Sequence, residues 1–297
     1  ILGHWRYNRA DPHQQALLAS TPIFAQWDDH EVINDFGASW TEWPNDPLRP
    51  GYPRLVAEGK EALFLFNPIT RHEQEPGRIY RSFHWGRNLE LFLLDARSYR
   101  SPNDLVDKPS NGKTMLGAEQ LQWLKSSLAA SDARWKIVSS DVPLSIPTGW
   151  QPNLWGRDSF ADGAGPSTGY AGRTGFELEL VDLLAFLDQE NVRNVVFVVT
   201  DVHFAAHLRY EIDLDGDGDP LLFHELISGP LNAYKSPIPG KLDPTLGPIV
   251  LYAEGGLFNF SYVRLVRASD GSVRLVADIR DADGQPRFGS RLELTPE

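Results

Sequence analysis

A chain of 297 residues with 41% hydrophobic and 23% charged side chains has an ordinary globular make-up, long enough for one large core or two modest ones. Zero cysteines exclude disulfides, thiolate zinc sites and cysteine nucleophiles. A formal net charge of −12 argues against broad nucleic-acid binding and would repel an anionic substrate unless bound cations reversed the local sign.

No stretch approaches the roughly 18 apolar residues of a membrane helix, so no transmembrane segment is expected. The chain opens on Ile1 without a cleavable leader in view, which suggests a processed or truncated product. The lack of cysteine is compatible with export, and a periplasmic or extracellular location is the expectation.

In chain order, residues 22–27 read as a short buried strand, followed at once by Asp28-Asp29-His30-Glu31. Three carboxylates and an imidazole within one turn are costly unless a cation, a proton or a basic partner neutralises them. Taken alone, a metal site and a solvated acidic turn account for them equally well. Residues 89–94 predict a buried strand ending at Asp95-Ala96-Arg97. Leu121, Leu124 and Leu128 lie at helical spacing within 117–129. A strand over 135–138 runs into Ser139-Ser140-Asp141, and a second helix over 175–189 carries Leu180, Leu183, Leu184 and Leu187. Residues 195–199 are the most strand-like run and end at Thr200-Asp201-Val202-His203.

This alternation implies an α/β layer structure with a partly parallel sheet. The segment Asp213-Leu214-Asp215-Gly216-Asp217-Gly218-Asp219 has the acidic spacing of a calcium loop, but its twelfth position is His224 rather than Glu and Pro220 interrupts it. Strands on either side make it a hairpin tip first, although weak calcium binding would suit its acidity. From about Phe258, turn signals separate short strands into an antiparallel meander. Irregular stretches at 36–54, 145–173 and 236–248 are long enough to carry function or cover a site. Trp40, Trp43, Trp150 and Trp155 in them either line a pocket or anchor the loops to the core.

Four apolar segments end in aspartate, at Asp28, Asp95, Asp141 and Asp201. Ligands in α/β sheets bind at the carboxyl ends of strands, so these acids are expected to converge. Asp201 and His203 would point the same way on an extended backbone, offering carboxylate and imidazole together, and Asp29 and His30 offer the same pair. A lone strand-end aspartate is more often a cap or turn former; the set of four with two histidines favours metal.

The run Trp27-Asp28-Asp29-His30-Glu31-Val32 with Asn34 resembles the signature of the PhoD-like alkaline phosphatases, a branch of the metallophosphoesterases. Further similar segments follow in order: residues 94–100, 116–124, 135–138 with 140–143, 201–203 and 228–231. The resemblance implies a single catalytic domain with an αββα sandwich of mixed sheets, closed by the C-terminal meander. It further implies hydrolysis of a small-molecule phosphoester by metal-activated water. Iron and calcium are the implied ions, with zinc, manganese or magnesium as substitutes. Asp28, Asp29, Asp201 and His203 are the implied ligands, Asp141 another, His30 the general acid and Arg97 either a phosphate clamp or a structural ion pair. The family's upstream Gly-Asp-x-x-Tyr-x-Asp-like segment has no counterpart here, so half of a two-ion site is expected to be missing. The alternatives are a phospholipase D-like phosphodiesterase and a non-catalytic metal-binding remnant. A serine hydrolase is disfavoured by the lack of a Gly-x-Ser-x-Gly elbow.

Overall fold

The computed structural model describes residues 1–37, 52–148, 158–162, 174–240 and 242–297. Trp40, Trp43, Trp150 and Trp155 lie outside the described residues. Helices are α1 (Leu2–Arg9), α2 (Pro12–Ser20), α3 (Tyr52–Phe66), α4 (Ala118–Ala130) and α5 (Glu177–Gln189). Strands are β1 (Arg81–Trp85), β2 (Leu89–Leu93), β3 (Trp135–Ser140), β4 (Val195–Val199), β5 (Ala205–Ile212), β6 (Leu221–Ile227), β7 (Ile249–Glu254), β8 (Asn259–Arg267), β9 (Val273–Asp281) and β10 (Leu292–Leu294).

A seven-stranded mixed sheet has the order β1-β2-β3-β4-β6-β5-β7. β2, β3, β4 and β6 run parallel, while β1, β5 and β7 are antiparallel to their neighbours. The expected meander forms a separate antiparallel sheet of three strands, β10-β9-β8.

The apolar run of β4 makes sense because both faces of its sheet are covered. Side chains alternate along a strand, so Val195, Phe197 and Val199 meet Leu180, Leu183, Leu184 and Leu187 of α5 in one core. Val196 faces the other way, with Ile137 and Leu226, against Leu275, Ala277 and Leu294 of the small sheet. Trp135 Nε1 donates to the Val273 carbonyl at 2.8 Å and ties the two sheets together. The result is a mixed α/β architecture with helices on one face of the large sheet and a second sheet on the other, as expected.

The strand anticipated at residues 22–27 is absent. That segment is irregular, with Ile23 40% and Phe24 37% exposed. It is held by side chains instead of a backbone ladder. Gln26 Nε2 donates to the carbonyls of Leu94 and Ser139, at 2.8 and 2.9 Å, and Arg81 Nη2 donates to the Ala25 carbonyl at 2.8 Å. One glutamine therefore bridges the ends of β2 and β3, so three of the four anticipated strand-end aspartates follow true strands.

Candidate metal centre

The acidic tetrapeptide is built around a buried anchor. Trp27 is 1% exposed, and its Nε1 donates to Asp95 Oδ1 at 2.8 Å. Its ring meets Phe36 edge-on and carries Lys60 Nζ 4.9 Å from its centroid. Asp95 also accepts from the backbone N–H groups of Arg97 and Ser98, so it organises the loop after β2.

With Trp27 fixed, the next residues form a short 3-10 turn, Asp29–Glu31, whose capping decides the four roles. Asp28 Oδ1 accepts from Asp29 N, and Glu31 Oε2 accepts from Asp28 N at 2.6 Å, a reciprocal cap. Glu31 is thus structural, and burial pushes its carboxyl up to about 7. Asp29 is 3% exposed, and its Oδ2 accepts from Asp35 N at 2.9 Å. His30 points to the exposed side of the turn.

The chain crosses to Asp201 at the end of β4. Asp201 and His203 adopt positive φ, 72° and 62°, so the segment is a tight bend and not the extended pair anticipated. Left-handed backbone at two non-glycine residues is strained and persists only where surrounding structure imposes it. Here the bend carries the chain out of β4 toward β5, and Ser236 N closes it on the His203 carbonyl at 2.9 Å.

Asp28, Asp29 and Asp201 offer carboxylate oxygens that all lie within 4.8 Å of one another. A second group of the same tightness joins Asp29 to Asp35 and Asp158, so Asp29 is common to both. Among the described residues these groups include neither Asp141, His30 nor His203. Burial, reinforced by Asp28 and Asp158, holds the Asp201 carboxyl well above its ordinary range. Burial likewise pushes Asp28 up to about 6 against the pull of Arg97. These are acids crowded at low dielectric with too little positive charge among them.

Arg97 is the cation at hand, and it is already shared. The guanidinium is fully buried and donates from Nε to Asp141 Oδ2 (2.9 Å), from Nη1 to Asp158 Oδ1 (2.6 Å) and from Nη2 to Asp28 Oδ1 (2.6 Å). Asp158 also accepts from Arg100 Nη1 at 2.6 Å. Burial alone would raise the Asp158 carboxyl, but the two arginines hold it below the usual carboxylate range. Asp141, which has Arg97 as its ion-pair partner, is pushed by burial up to about 8. The geometry accords with the structural reading of Arg97: its donors face carboxylates.

Asp35, Asp158 and Arg100 were not anticipated as site residues. Asp35 follows the motif closely, has φ 57°, and donates its N–H to Asp29 Oδ2. Asp158 sits 61 residues from Arg97 in a stretch without periodicity, so no local signal marks it.

Carboxylates from a buried turn and from the carboxyl end of a central parallel strand define an α/β protein with a candidate metal centre at its sheet edge. The chain belongs to the PhoD-like phosphatase family, which matches residues 3–245. It is 25% identical over 235 residues to alkaline phosphatase D of Bacillus subtilis (strain 168), covering 75% of this chain and 38% of that relative. A solved structure of PhoD aligns with all of this chain and 60% of its own, with a TM-score of 0.63 and 17% identity, which shows a shared fold. The chain therefore spans well under two thirds of the relative it matches.

Proposed function

We propose that this protein contributes to metal-dependent hydrolysis of small-molecule phosphoesters. The observation that carries this reading is the convergence of Asp28, Asp29 and Asp201 to within 4.8 Å at the sheet edge. An all-oxygen donor set suits hard cations such as calcium, magnesium or manganese, and the desolvated Asp201 fits a group that gains a cation on loading. Iron, the other implied ion, would draw on an imidazole from outside this set. A bound cation offsets the charge of the phosphoester and activates water near neutral pH.

The remaining roles belong to the chain. Asp28, Asp29 and Asp201 would hold the cation, Asp29 being common to two acidic groups. Arg97 acts by positioning: it fixes Asp28 from behind and keeps Asp141 and Asp158 from adding uncompensated charge. His30, exposed on the adjoining turn, is the group able to meet substrate from solvent and donate a proton to the leaving oxygen. Asp141, at the end of β3, is tied to the site through Arg97.

The test is hydrolysis of p-nitrophenyl phosphate and of its bis-ester, each with added calcium, manganese or iron. His30→Ala should retain metal but lose most turnover on esters with poor leaving groups, by about 10²–10⁴-fold for a lost general acid. Undiminished turnover on those esters would remove His30 from the mechanism. No hydrolysis of either ester under any metal would leave this chain a metal-binding portion of a larger enzyme.

A further inference from the structure

The β5–β6 hairpin tip lies at the opposite edge of the large sheet from Asp201. β6 runs parallel to β4 and is seven residues long, so its start is about 20 Å from the catalytic edge at ~3.3 Å per residue. There Asp213 and Asp215 meet Asp188, from the last turn of α5, with one carboxylate oxygen from each inside a 4.8 Å group. Asp188 is 2% exposed. Its Oδ2 accepts from the backbone of Leu214 (2.6 Å) and Asp215 (3.3 Å), while its buried Oδ1 has no hydrogen-bond partner.

A buried carboxylate with an unmatched oxygen is costly. Its place near the helix C-terminus, where the macrodipole is negative, adds to that cost. Arg193, the neighbouring cation, is paired with Asp219 and lies 3.8 Å from Glu297. The tip is wound on the Asp213 carboxylate. Gly216 and Gly218 take φ 79° and 87°, and their N–H groups donate to Asp213 Oδ1 and Oδ2. In this sequence a calcium-loop spacing lacks its closing acid because position twelve is His224, a buried residue of β6. Asp188, 25 residues upstream of Asp213, places a carboxylate beside the same loop.

We propose that Asp188, Asp213 and Asp215 form a calcium site that clamps the C-terminus of α5 to the β5–β6 hairpin, separate from the phosphoesterase centre. Oxygen-only donors on an acidic hairpin tip match calcium, with affinity in the range of about 10⁻⁴–10⁻³ M found for extracellular modules. The test is hydrogen exchange of the backbone amides over residues 211–221 on the intact chain, titrated with calcium chloride across about 0.01–10 mM. Calcium should slow these amides about tenfold or more in the wild type and in Asp29→Asn. Asp188→Asn, whose amide oxygen still accepts from Leu214 and Asp215, should lose the slowing. Asp215→Asn, an exposed change that cannot disturb the core, should lose it too. No slowing in the wild type, slowing retained in both hairpin variants, or slowing abolished by Asp29→Asn would overturn the site. Equal slowing by magnesium would overturn its assignment to calcium.

Discussion

Arg97→Met asks whether this guanidinium is a hub for carboxylates or a contact for phosphate. The substitution keeps an unbranched apolar stem and removes the charge shared by Asp28, Asp141 and Asp158. Two of those partners are 2% exposed, and Asp28 is 30% exposed. Breaking a buried pair by removing one partner costs about 3–5 kcal/mol. The half-open Asp28 and proton uptake by the others temper the loss, so about 4 kcal/mol at pH 8 is expected. At ~2–4 °C per kcal/mol for a large domain, Tm should fall by about 8–16 °C. Urea unfolding followed by tryptophan fluorescence reads this directly. Adding Asp158→Asn completes a double-mutant cycle, and the second change should cost much less in the Arg97→Met background. A variant that unfolds within about 1 kcal/mol of wild type, yet shows a raised KM for phosphoesters, would refute the hub and restore the phosphate clamp.

Three further outcomes follow from buried groups elsewhere. Burial, with His224 nearby, holds the His207 imidazole down at about 4. The unfolded chain therefore takes up this proton first as pH falls, so the associated stability is complete above about pH 6.5 and lost on descent toward 4. His207→Gln should remove up to about 3 kcal/mol of that acid slope in urea titrations across this window, and an unchanged slope would contradict it. Burial pushes the Glu179 carboxyl up to about 7, although Thr114 Oγ1 and the Met115 and Leu116 amides donate to it. Its contribution is present below about pH 4.5 and lost as pH rises through 7, so Glu179→Gln should gain stability over wild type at pH 9 but not at pH 5. For Gly175→Ala, a Cβ would fall 2.5 Å from the Ala161 carbonyl oxygen and 2.7 Å from that of Phe160. Backbone must move there, beside Asp158, so a loss of about 2 kcal/mol or more is expected in thermal unfolding; a neutral result would show that 158–162 shifts without resistance.

Much of the fold is legible in the residues because local periodicity survives folding wherever a core sits on one side. Leu180, Leu183, Leu184 and Leu187 predict the buried stripe of α5, and all four pack in the main core. Val195 to Val199 predict a strand, and the structure covers it on both faces, by a helical layer and by the small sheet. Residues 22–27 mislead because their apolar character does not come from a sheet position. Trp27 is held in the interior by its hydrogen bond to Asp95 and its edge-on contact with Phe36, while Ile23 and Phe24 stay at the surface.

Residue chemistry alone marks Asp28, Asp29 and Asp201 as acids awaiting neutralisation and marks Asp213 to Asp219 as an acidic hairpin tip with part of a calcium loop's spacing. How each acid is neutralised depends on partners distant in sequence. Arg97 reaches Asp28 across 69 residues and Asp158 across 61, which favours the ion-pair reading of the two its sequence leaves open. Asp188 likewise reaches the hairpin tip across 26 residues to Leu214. The physical reason is common to both sites. A carboxylate's need for a partner is written in its charge, but whether an arginine, a proton or a cation meets that need depends on which groups folding brings within hydrogen-bonding distance.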